Sequence, residues 1–97
     1  MKFRTDAAFE SSCLQGYITA NYHELVALFG QPEGGDGYKV QAEWSLKFAD
    51  GTYATIYDWK ESMDPEYVTD WHIGGQSNMA VARVQEAVYR ARAQVAA

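Results

Sequence analysis

The 97-residue chain holds one cysteine, Cys13, and two histidines, His23 and His72. A single thiol cannot close an internal disulfide, and without CxxC or HxxH spacing there is no zinc-binding pattern. No apolar run approaches the roughly 20 residues that span a bilayer. The start, Met1-Lys2-Phe3-Arg4-Thr5-Asp6, lacks the apolar stretch of a signal peptide. Together these absences lead us to expect a reducing, cytoplasmic setting. No Gly-x-Ser-x-Gly elbow occurs, and Cys13 falls where a small buried strand residue is the ordinary reading. Asp70 and His72 would share one face of a strand, an arrangement that more often orients an imidazole than catalyses. We therefore expect no enzyme, no metal and no cofactor. Bases are scarce too: eight Lys and Arg against thirteen Asp and Glu give a net charge of −5. Such a chain repels phosphate backbones as a whole, which argues against direct nucleic-acid binding.

What the chain does have is apolar surface to bury. Hydrophobic residues make up 47% and aromatics 14%, enough for one small α+β domain spanning residues 1–97, with 1–10 as a loose arm or short strand. Asn21 and Glu24 have capping-box spacing, and Tyr22, Leu25, Val26 and Phe29 form one stripe; Gly30 and Pro32 end this helix. Before it, Ser11 to Thr19 reads as a strand, with Gly16 marking a bend or bulge. Glu33 to Gly37 reads as a polar loop.

Val40, Ala42, Trp44, Leu46 and Phe48 alternate with polar residues, the pattern of a half-buried strand. Asp50-Gly51 turns it back into a second strand, Thr52 to Trp59. Two registers fit. A bulged three-residue turn pairs Phe48 with Thr52 and sends Tyr53, Tyr57 and Trp59 outward. A two-residue turn pairs Phe48 with Tyr53 and buries those rings. The bulged turn is preferred, because Trp44 and Leu46 then meet Ile56 and Ala54. Residues 60–70 hold Pro65 and read as a loop with one helical turn. Trp71-His72-Ile73 reads as a short strand closed by Gly74-Gly75. A terminal helix follows, capped by Ser77, with Val81, Val84, Val88, Ala91 and Val95 on one face. The order is β-α-β-β-β-α: an antiparallel sheet packed against two helices.

Two patches stand out as sites. The first combines the aromatic residues Tyr53, Tyr57, Trp59 and Trp71 with His72 and the acids Asp58, Glu61, Asp64 and Asp70. From 58 to 70 there are five acids against Lys60 alone. Aromatic anchors beside an acidic loop suit a basic surface on another protein. Base stacking would demand more cations than Lys39, Lys47 and Lys60. The second patch is weaker: Gly74, Gly75 and Ser77 at a helix start, with Arg83, make a generic anion site. It is not a P-loop, since no Lys follows.

The strings Leu14-Gln15-Gly16-Tyr17-Ile18, Tyr22 to Pro32, Ala42-Glu43-Trp44, Phe48-Ala49-Asp50-Gly51-Thr52, Ala54 to Lys60 and Trp71 to Gly75 resemble a family of small bacteriophage-encoded proteins without an assigned function. The resemblance runs from Leu14 to about Val88 and carries no catalytic residues with it. It implies work in the cytoplasm of a host cell. In that setting the first expectation is a non-enzymatic inhibitor of a host protein complex. An anti-defence protein of the anti-CRISPR kind, occupying a basic nucleic-acid-binding surface, would fit. Alternatives are a nucleotide binder that sequesters a defence signal, stacking the base on the aromatics and holding phosphate at the second patch, and an accessory protein that forms a homodimer or larger homo-oligomer through its Val81–Val95 helix.

Overall fold

Alternation builds the centre of the fold. In the computed structural model, which describes residues 2–5, 13–34 and 39–96, strand β4 (Ala42–Phe48) buries every second residue. It turns back into β5 (Tyr53–Tyr57) with Trp44 opposite Ile56 and Leu46 opposite Ala54. The turn is the bulged one. Phe48 N–H donates to the Thr52 carbonyl at 2.9 Å, Gly51 takes φ +90°, and Asp50 Oδ1 accepts from Thr52 N–H. Only glycine enters that backbone region cheaply, which is why the hairpin turns there.

Four more strands complete an antiparallel sheet: β1 (Phe3–Arg4), β2 (Cys13–Thr19), β3 (Glu33–Gly34) and β6 (Asp70–Gly75). The order is β1-β4-β5-β6-β2, with β3 also on β4. Helix α1 (Tyr22–Phe29) has the full capping box: Glu24 N–H donates to Asn21 Oδ1, and Asn21 N–H donates to Glu24 Oε1. Helix α2 (Met79–Ala96) lays Ala80, Val84 and Val88 on the sheet. Both helices contribute to one core with Leu25, Trp44, Leu46, Ile56, Trp71 and Ile73 at its centre.

Several expectations need correction. β3 occupies the start of the stretch read as a polar loop; Gly35–Gly37 of that loop, like the N-terminal arm beyond Thr5, lie outside the described residues. The second hairpin strand stops at Tyr57, not Trp59, because Asp58 turns inward. Gly74 and Gly75 do not close β6; they are buried members of it, opposite Leu14 and Cys13 on one side and Thr55 and Ala54 on the other. Val95 is 88% exposed, because the helix outruns the sheet beneath it.

Candidate functional site

Pleating sends Trp44, Ile56, Trp71 and Ile73 toward the helices and their chain neighbours to the opposite face. On that second face the register sets Tyr17 beside His72, His72 beside Tyr57 and Tyr57 beside Glu43. Tyr17 meets His72 edge-on at 5.0 Å between ring centroids, and Tyr57 stacks on it from the other side at 5.4 Å. Trp59 extends the row, edge-on to Tyr57 at 6.3 Å. No helix packs on this face among the described residues: Tyr17 is 58% and Trp59 41% exposed. Partial burial first, then the charge of Glu43 and the neighbouring Tyr17, hold the Tyr57 hydroxyl above its usual value. The ring nitrogen Nδ1 of His72 is buried within the row with no hydrogen-bond partner.

Three lysines sit on rings of the same face. Lys39 and Lys60 each lie 5.7 Å from the Trp59 ring, and Lys47 lies 5.0 Å from Tyr53. Beyond Trp59 the chain continues into the acidic loop, where Met63 and Tyr67 are 45% and 66% exposed. Glu61, Asp64, Glu66 and Asp70 alternate with them, and the loop is held by one turn of 3-10 helix, Pro65–Tyr67. Gln41 fixes its path by donating through Nε2 to the carbonyls of Glu61 and Met63. The sequence reading overlooked Tyr17, Met63 and Tyr67. Tyr17 precedes the inward Ile18 on a strand, so alternation was the signal that could have found it.

Two residues assigned to this patch leave it. Trp71 is fully buried, edge-on to Trp44 at 5.3 Å, and its indole N–H donates to the Ala20 carbonyl. Asp58 is fully buried as well; its Oδ1 accepts from the backbone N–H groups of Gln41 (2.8 Å) and Ala42 (3.0 Å). Neither reaches a partner's surface. Tyr53, Tyr57, Trp59, Glu61, Asp64, Asp70 and His72 stay at or near the surface. Asp70 accepts from the Thr19 hydroxyl at 3.3 Å.

The second patch does not assemble. Gly74 and Gly75 are strand residues, and a Cβ on Gly75 would meet that of Ala80 at 2.6 Å. Ser77 Oγ accepts from Met79 N–H. Arg83 turns away, to Asp50 at 2.9 Å and Glu86 at 3.4 Å. Among the described residues no three His, Cys, Asp or Glu side chains converge as metal ligands, and no helix is long and apolar enough to cross a membrane. The aromatic row with its acidic flank is therefore the candidate site, and its geometry suits binding. No protein-family model matches the chain, and no curated protein or solved structure is significantly similar to it.

Proposed function

We propose that the chain is a non-enzymatic binding protein that inhibits a host protein complex by occupying a basic, nucleic-acid-handling surface. The observation that carries this reading is the interleaving of exposed Trp59, Met63 and Tyr67 with Glu61, Asp64, Glu66 and Asp70. Desolvated aromatic anchors supply most of the affinity at protein interfaces, and a surrounding field of one sign steers the encounter and selects a partner of the other sign. A basic surface that ordinarily receives phosphates offers that complement. The resemblance to small bacteriophage-encoded proteins supplies the biological frame: a phage protein in the host cytoplasm, with a defence complex as the favoured target.

The test is capture of the target by tagged protein from host lysate, compared with a Trp59→Ala chain and repeated at rising salt. The expected result is one stoichiometric nucleic-acid-handling complex, weakened by salt and lost with Trp59→Ala. Trp59 is 41% exposed, so the same variant should lose less than about 1 kcal/mol of stability. Capture that ignores the substitution, or a variant that melts far below the parent, would remove the basis for the reading.

A further inference from the structure

Resting on the proposed docking face, we infer that the partner presents an extended, arginine-bearing segment, which lies along the open edge of β2 and stacks a guanidinium on Tyr17. Strand β2 ends the sheet, and among the described residues nothing pairs with its outer edge. Its hydrogen bonds to β6 fall at alternate positions. Ala20 N–H donates to the Thr69 carbonyl, so the bonded pairs are those of the inward residues, Ile18 with Trp71 and Gly16 with Ile73. The N–H and C=O groups of Tyr17 and the N–H of Thr19 consequently point away from the sheet. Arg92 supports this assignment, because its Nη2 reaches the outward Thr19 carbonyl at 2.7 Å. That bond takes up the Thr19 carbonyl but not its N–H.

Cys13–Thr19 contains no charge and no proline, and between the irregularity at Leu14–Gly16 and Arg92 at the Thr19 carbonyl the backbone around Tyr17 is the part of this edge open to strand addition. Charge chooses the occupant. A side chain projecting from an added strand beside Tyr17 and Thr19 would meet an exposed ring with the Asp70 carboxylate one strand further in. A guanidinium satisfies both at once, by stacking on the ring and hydrogen-bonding the acid. A single-stranded nucleic acid fits less well, because its phosphates would run past Asp70 and Glu43, while Lys39, Lys47 and Lys60 already lie over Trp59 and Tyr53.

The test is titration of the isotope-labelled full chain with a synthetic peptide alternating Arg and Val, followed through backbone amide and His72 ring signals. Saturable shifts are expected at Tyr17, Thr19, Asp70 and His72. The Lys-for-Arg peptide and the Asp70→Asn chain should each bind about fivefold more weakly. Thr19→Pro removes one outward N–H without touching the ladder, and should abolish strand addition while the chain still melts cooperatively. Three results would overturn the inference: no shifts at millimolar peptide, equal binding of the Lys peptide, or tighter binding of an oligouridylate at the same amides. If the peptide fails while capture still depends on Trp59, this inference falls and the docking reading stands. If capture is also indifferent to Trp59, both fall.

Discussion

Asp58 accepts two backbone N–H hydrogen bonds where β5 ends, and its Oδ2 is buried with no partner. Trp59, the next residue, is exposed and carries two lysines on its ring. The sequence offers no sign of this reversal, since an acid before an aromatic residue in an acidic stretch looks like surface. What decides it is that the Gln41 and Ala42 N–H groups lie beside the strand end and need an acceptor. Asp58→Ala should therefore cost about 2–4 kcal/mol, the penalty of stranding donors inside the fold. Asp58→Asn keeps an acceptor oxygen and should cost clearly less. Urea unfolding of both variants checks this, and equal losses would show that acceptance at Oδ1 is not what matters. Trp71 is the same lesson, a residue read as surface that is fully buried. Its neighbour His72 faces outward, and pleating alone places one of the pair inside, but sequence could not say which.

Between elements, the closest fit is α2 against the β2–β6 side of the sheet. A Cβ on Gly16 would stand 2.8 Å from Val81 Cγ2, and the three nearest atoms it would meet all belong to Val81. Gly16 also bounds the register irregularity between Leu14 and Gly16 in the β2–β6 pairing, so the bend expected from sequence and the close approach of the helix share one residue. Gly16→Ala should destabilise the chain by about 1–3 kcal/mol through overpacking, because a helical valine is held to one χ1 rotamer and cannot swing aside. Val81→Ala should recover part of that loss in the double variant, and a double-mutant cycle reads the coupling directly. Strictly additive losses would show that the obstacle is Gly16's backbone and not the valine. The α+β class, both helices and the hairpin register were legible because each rests on local periodicity or turn chemistry. β3, the continuation of β6 through Gly74-Gly75 and the exposure of Val95 were not, because each depends on what lies across the sheet.

At the scale of the molecule, helix α2 is tied down at two distant points by charge. Arg92 pairs with Glu24 of α1 through Nη2 and Nε, at 2.7 and 3.0 Å, and Arg83 reaches Asp50 in the hairpin turn. Glu24 is held below its ordinary 4.5, first by the Arg92 hydrogen bond and then, against the cost of burial, by the Asn21 backbone and the Arg92 charge. Asp50 is drawn from 3.8 to about 2, chiefly by its hydrogen bonds with Thr52 and then with Arg83. Arg92 moves the other way, raised by the same Glu24 contact, and stays charged through the whole acid range. Both carboxyl groups bind their protons less readily when folded than when unfolded. Their contribution is thus complete above the ordinary carboxylate values and fades as pH falls through the folded ones. Stability should hold from neutral pH down to about 4.5 and then decline toward about 2. Glu24→Gln keeps the acceptor for Asn21 N–H but removes the charge facing Arg92, so it should lower the melting temperature at neutral pH. It should also narrow the drop between neutral pH and about pH 3, because one of the two proton-linked groups is gone. Melting curves of parent and variant across that range decide the matter: convergence toward low pH supports the tie between the helices, and curves that coincide at every pH would mean that Glu24 acts only as a cap.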